Sequence, residues 1–367
     1  MWWELYNVNR LMKERVLIMK KEKLVTVVLG VFFLGSSVLF AQDEFKKEYG
    51  KQFKVNESTV VHLVNKYGDM NIENWTENTV DIKVVVSVKT SNKSKADNAL
   101  SKITIGFKQE GDLVSAITQI NESINNTDFS IDYTVKMPKN INVDLSNQYG
   151  NLFLDEVNGF ATINVKYGNF TINKLGREQE KPTNYIGVGY SSGVCNINEC
   201  GWLKLESGYS KVSIGSATAL IIGSKYSSLK IKSCKSIVTE SKYDHPFKVG
   251  YVKNFVCTGA YSNFEITKLY NMLEADLKYS DFEVMEVDKD FELIKLKLRY
   301  GKASFVIPQL PGYDLKAESA YGSVNYPDNK KISKVTDQTE SSIWGIVGTN
   351  PKAKVIIDTK YGNVDLE

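Results

Sequence analysis

A tyrosine followed by glycine, serine or aspartate returns along this chain at near-constant spacing, and that recurrence limits the fold more than any other feature. Tyr149, Tyr167, Tyr190, Tyr209, Tyr226, Tyr243, Tyr261, Tyr279, Tyr300 and Tyr321 follow one another in steps of 18, 23, 19, 17, 17, 18, 18, 21 and 21 residues. Tyr361 follows Tyr321 after 40 residues, about two turns with a loop inserted, and Tyr67 is an outlying copy. A unit of about 20 residues cannot bury an apolar face alone, so such units must stack on their neighbours.

Aligned on the tyrosine, apolar or small residues fall six, four and two positions before it and three, five and eight after it. Around Tyr167 these are Ala161, Ile163 and Val165, then Phe170, Ile172 and Leu175; around Tyr279 they are Leu273, Ala275 and Leu277, then Phe282, Val284 and Val287. Each arm alternates with period two, the mark of a strand with one buried face. The phase slips by one residue between the arms, which requires a bend. The Gly or Ser after each tyrosine is expected to form that corner, since Gly permits unusual backbone angles and Ser can bond a turn. Hairpin turns such as Asn-Gly do not recur between the arms. The reading is an all-β chain: a parallel β-helix, or β-solenoid, with coils of about 18–21 residues, right-handed because parallel crossovers are.

Four segments follow. Lys20, Lys21 and Lys23, then the apolar run Leu24 to Phe40, then Ala41, have the order of a secretory signal peptide over 1–41. Met19 offers a second start, so residues 1–18 are set aside as a mis-called start. No cysteine follows the signal, which argues against a lipid anchor, and no second apolar run is expected to span a membrane once the signal is removed. Residues 42–147 form a β-rich coil and cap region, with longer strands over 80–89, 103–108, 113–120 and 129–137. A turn at Gly111-Asp112 and a short helix over 92–100 complete it. Residues 148–326 are the regular array. Residues 327–367 are a polar loop with an apolar patch (Ile343, Trp344, Gly345, Ile346, Val347), then the final coil.

Several stretches resemble the bacterial "putative adhesin" β-strand-repeat family. They are KYGDMNIENW from Lys66 to Trp75, VDIKV from Val80, YTVKMP from Tyr133, IVG from Ile346 and KYGNV from Lys360. The resemblance implies a β-solenoid outside the cytoplasm, and the family carries no catalytic residues to transfer.

The chemistry expected from the residues is sparse. A net charge of +3 on 367 residues gives no argument for nucleic acid. The two histidines, His62 and His245, are read as an exposed strand residue and a surface corner residue; neither has a placed catalytic partner in sequence. Cys195, Cys200, Cys234 and Cys257 lack CxxC or histidine company, so no metal site is expected, and buried positions make them free thiols rather than bridges. Asp281, Glu283 and Glu265, with Lys230, Lys232 and Lys248, could align on one face as in a polysaccharide lyase or hydrolase. Yet a stacked repeat repeats every outward position, and short corners do not wall a cleft. The tyrosines Tyr67, Tyr149, Tyr167, Tyr190, Tyr209, Tyr226, Tyr243, Tyr261, Tyr279, Tyr300, Tyr321 and Tyr361 could bind sugars or peptides by stacking. Because each shares the phase of the preceding buried arm, they are read instead as a structural ladder filling the corner. The expectation is a non-enzymatic, adhesin-like binding module of the cell envelope without cofactor. It would lie in the periplasm, on the outer-membrane surface or in the medium, with a cell-envelope glycan or a protein as the partner class left open.

Overall fold

The computed structural model describes residues 43–177, 183–327, 331–349 and 351–367; the expected signal segment 1–41 lies outside the described residues. Residues Glu44–Glu367 form one compact unit. It is all-β, 71% strand and 3% helix, and its strands belong to a single 24-stranded sheet.

The repeats pair in parallel, each with the next. Val194–Gly208 lies beside Lys211–Lys225, which lies beside Ser228–Lys242, then Phe247–Ala260, then Asn263–Lys278. In-register pairing turns each apolar position of the repeat into a row. The row six residues before the tyrosine reads Leu203, Leu220, Ile237, Phe255, Leu273, Ile294, Val355 and Leu315. Each of these is at most 2% exposed, and burying such a side chain contributes roughly 1.5–3 kcal/mol. On the other arm Phe247, Phe264, Phe282 and Phe305 pack ring against ring at 5.2–6.0 Å. The core therefore runs the length of the repeat array.

Both ends depart from this pattern. Near the N-terminus Glu44–Lys54 pairs antiparallel with Thr79–Lys89, which pairs antiparallel with Asp128–Met137. Ile103–Glu110 and Leu113–Ile120 form a hairpin about Gly111, whose φ is 56°. The helix Lys93–Ser101 starts at Asn92, whose side chain accepts from the Lys95 amide at 3.1 Å. The strand Glu44–Lys54 was not anticipated. Its four lysines suit an edge that must resist pairing with other chains.

Near the C-terminus two expectations are corrected. The segment read as a polar loop is a hairpin, Ile332–Asp337 with Glu340–Gly348, whose second strand pairs antiparallel with Gly312–Ala320. Gln338, with φ of 49°, supplies the turn that no Gly or Pro marked. The last repeat also does not follow its predecessor in space. Ala353–Leu366 pairs in parallel with both Leu293–Phe305 and Gly312–Ala320, so it lies between them. The 40-residue step is the path out through the hairpin and back into the stack.

Candidate functional site

The corner is made by the tyrosine itself, not by the residue after it. All twelve repeat tyrosines have positive φ, from 51° at Tyr279 to 65° at Tyr67. A left-handed backbone is uncommon for a residue with a side chain and costs about 1–2 kcal/mol. Its effect is to turn the ring outward, although the alternation of the preceding arm would place it inward. The following residue then points inward and the next arm resumes in the opposite phase. Hence the expectation that the rings fill the corner is corrected: eleven of the twelve are 40–56% exposed, and Tyr67 is half-buried.

What offsets the backbone penalty is stacking. The order is Tyr67, Tyr149, Tyr167, Tyr190, Tyr209, Tyr226, Tyr243, Tyr261, Tyr279, Tyr300, Tyr361 and Tyr321, with centroids 4.8–5.1 Å apart and planes within 19°. Aromatic pairs of this kind add about 0.5–1.5 kcal/mol each. Phe129 meets Tyr67 edge-on at 5.3 Å. Lysines just before the tyrosine lie along the rings, with Lys66 Nζ 4.8 Å from the Tyr67 centroid and Lys225 Nζ 5.3 Å from that of Tyr226. Within the stack each ring gives both faces to its neighbours, so the surface displays ring edges and hydroxyls. Recognition of a sugar by stacking needs a free face, which interior rungs do not offer.

Under the rings runs a buried polar row. From Tyr190 to Tyr261 the backbone amide of the residue after the tyrosine donates to the side chain at the same position one repeat on. Ser191 donates to Ser210 at 3.2 Å, Ser210 to Ser227 at 3.3 Å, Ser227 to Asp244 at 2.7 Å, Asp244 to Ser262 at 3.1 Å and Ser262 to Ser280 at 3.1 Å. The hydroxyls of Ser210, Ser227, Ser262 and Ser280 donate back to the carbonyl before the tyrosine, as Ser227 does to Lys225 at 3.0 Å, whereas that of Ser191 donates forward to the Gly193 carbonyl at 3.2 Å. Asp244 is the only carboxylate among the buried residues described, and it is completely buried. Ser241 and Ser224 donate to its Oδ2, the former at 2.6 Å. Burial pushes its carboxyl above the ordinary range, against the pull of these hydroxyls, the Ser227 amide and the neighbouring His245. Where glycine replaces serine, a side chain would not fit: a Cβ on Gly168 would sit 1.9 Å from the Gly150 carbonyl oxygen.

The same register aligns four of the six outward residues considered for catalysis and leaves Asp281 and Lys232 in neighbouring rows. Lys230, Lys248, Glu265 and Glu283 form one row across adjacent strands. Glu265 is engaged by Lys248 Nζ at 2.6 Å. Asp281 stands two residues from Glu283, in a different row, and accepts from the Lys302 amide at 3.0 Å. Lys232 is exposed in a further row, two residues after Lys230. His245 is exposed at the corner and its amide donates to Ser227 at 3.1 Å. His62 does acquire a partner, Asp144, with Nδ1 2.9 Å from Oδ2. Ser115 flanks His62 in register, but its hydroxyl points to the Lys108 carbonyl at 3.5 Å. Among the described residues no group of three or more His, Cys, Asp or Glu is placed to hold a metal.

All four cysteines are free and buried. Cys200 and Cys234 share a row with Ala217 between them, while Cys257 is in register with Thr239 and Ala275. The hairpin near the C-terminus supplies a feature the sequence indicated only as an apolar patch. A cavity of about 580 Å³ is lined by Trp344, Ile346 and Ile356 with Asp314, Lys316 and Glu318. The buried serine row was also missed, though serine recurring after the tyrosine was its visible signal.

No family model matches the chain and no curated protein matches it. Among solved structures, the chain is similar to a "putative cell adhesion protein" from Clostridium sporogenes, at 13% identity over 88% of this chain and 99% of that one, with a TM-score of 0.19. It is similar to a "putative adhesin" from Parabacteroides merdae at 10% identity over 88% and 96%, TM-score 0.32. A third, a "putative adhesin" from Parabacteroides distasonis, matches at 13% identity over 70% of this chain and 97% of that one, TM-score 0.34. A further similar structure, also from Parabacteroides distasonis, is named a "Putative lipid binding protein" and matches at 10% identity over 88% of this chain and 97% of that one, TM-score 0.28.

Proposed function

We propose that this chain is an exported, non-enzymatic adhesin-like module. On this reading 148–326 is a right-handed parallel β-solenoid, 42–147 and the hairpin within 327–367 close its two ends, and the tyrosine ladder is structural. Residues 1–41 direct export and are removed. The observation that carries the reading is the uninterrupted stack of twelve rings, which fixes a long, narrow and rigid surface. Rigid elements that present side chains at fixed spacing suit attachment, because little ordering entropy is lost on binding. The pairing of outward charges across repeats, as in Lys248 with Glu265 and Lys268 with Glu286, both at 2.6 Å, also supports a scaffold over a reaction centre.

Membrane-impermeant labelling of intact cells, followed by fractionation, tests export. Label on the chain, or recovery in the envelope or medium, is expected; confinement to the cytoplasm would overturn the proposal. Incubation of the purified protein with acidic polysaccharides should release no reducing ends, and turnover would favour the enzyme reading.

A further inference from the structure

We propose that the tyrosine ladder is a site of oxidative modification, where one-electron oxidants join tyrosines of adjacent repeats as dityrosine. Three observations meet here. The rings are 4.8–5.1 Å apart and nearly parallel, closest at Tyr149–Tyr167, Tyr226–Tyr243 and Tyr279–Tyr300. The rungs from Tyr149 onward are 40–56% exposed, so an oxidant reaches ring edges and hydroxyls from solvent. The series is unbroken from Tyr67 to Tyr321, so every interior phenol has two phenol neighbours within contact.

The chemistry follows from that placement. Each of two phenols gives one electron and one proton to the oxidant, leaving two tyrosyl radicals. A radical formed on one rung can exchange an electron and a proton with the next, since adjacent phenols are alike and in contact. Two radicals formed anywhere along the ladder can therefore become neighbours. They couple by forming a bond between ring carbons ortho to the oxygens, and the hydrogens on those carbons return to the oxygens by tautomerisation. With hydrogen peroxide as oxidant and a haem peroxidase as carrier, two phenols and one peroxide give one dityrosine and two waters. The exposed rings can swing about their side-chain torsions to bring the carbons together, which buried rings such as Tyr133 and Tyr313 cannot. The product would staple one repeat to the next on the outside of the stack.

Tyr251 and Tyr270 provide an internal control. They are 47% and 41% exposed, but Tyr251 is in register with Lys268 rather than with a tyrosine. The experiment treats dilute purified protein with hydrogen peroxide and a haem peroxidase, then maps cross-linked peptides by mass spectrometry alongside dityrosine fluorescence. The expected product is intramolecular dityrosine joining ladder neighbours. Y226F should lose the Tyr209–Tyr226 and Tyr226–Tyr243 links and keep those at Tyr149–Tyr167 and Tyr279–Tyr300. Links made mainly between molecules, or mainly through Tyr251 and Tyr270, would overturn the proposal. So would oxidation of the ladder without coupling. The wild-type link map decides the question even if the variant misfolds.

Discussion

Ser241 donates a 2.6 Å hydrogen bond to Asp244 across the Tyr243 corner, and the carboxyl group it meets is completely shielded from solvent. Neighbouring repeats place a serine hydroxyl there, so this one repeat carries a titratable group in an otherwise neutral row. Its acidity is weakened in the fold, mainly by burial. An acid with a raised folded pKa favours the fold most below the ordinary value of about 3.9 and loses that contribution as pH rises through its folded pKa. The Asp244→Asn variant removes the titration and keeps the shape. Urea midpoints compared at several pH values should show the variant gaining on the wild type as pH rises from about 4. Parallel curves, or a wild type that gains, would show that the buried carboxyl is not titrating as described.

The ladder tyrosines combine a strained backbone with a favourable stack, and substitutions separate the two. Tyr226→Phe keeps both ring contacts, at 4.9 and 4.8 Å, and should change stability by less than about 0.5 kcal/mol. Tyr226→Ala loses both contacts but keeps the positive φ of 52°, and should destabilise by roughly 1–3 kcal/mol. Equal stabilities in chemical denaturation would mean that stacking does not support the corner.

Two glycines that look alike in sequence should behave in opposite ways. Gly168 follows Tyr167, and a Cβ there would lie 1.9 Å from a backbone oxygen of the preceding repeat. Gly208 precedes Tyr209, and a Cβ there meets nothing within 4 Å. Gly168→Ala should cost more than about 3 kcal/mol, since backbone must move. Gly208→Ala should be neutral or stabilising by about 0.5–1 kcal/mol, because glycine in a strand gives up more chain entropy. Thermal melts of the two variants check the contrast.

This contrast also marks how far the sequence could be read. Period-two alternation makes inward and outward residues legible, because register is enforced by burial. The position of the corner was misplaced by one residue, because the rule that assigns positive φ to glycine is overridden when a side chain gains two stacking partners. The insertion of Ala353–Leu366 between two earlier strands was illegible for another reason. Spacing records the order of repeats along the chain, and only pairing decides their order in space. The His62–Asp144 pair was hidden likewise, its members lying 82 residues apart.

The inward rows allow a direct energetic test. Ile172 is 0% exposed, whereas Lys232 and Glu283 lie one residue out of phase on exposed positions. Ile172→Ala should cost roughly 2–5 kcal/mol, the range for a large residue truncated in a packed core. Lys232→Ala and Glu283→Ala should each stay within about 0.5 kcal/mol. Comparable losses at all three positions would break the link between phase and burial.

The last prediction concerns the cysteines, and register alone supports it. Cys200 pairs with Ala217 and Ala217 with Cys234, so two strand spacings separate the thiols, about 9.6 Å, whereas a bridge needs Cα atoms within about 7 Å. Cys195 is in register with Val212 and Cys257 with Ala275, so neither is paired with another cysteine. Burial also raises the thiol pKa at all four positions, to about 12 at Cys200 and Cys234, so little reactive thiolate forms near neutral pH. A disulfide-exchange reagent should therefore find all four thiols in denaturant without reductant and react slowly in the native state. Two or fewer thiols in denaturant would require a bridge that this register forbids. Fast reaction of the folded protein would show that the stack opens on the timescale of the assay.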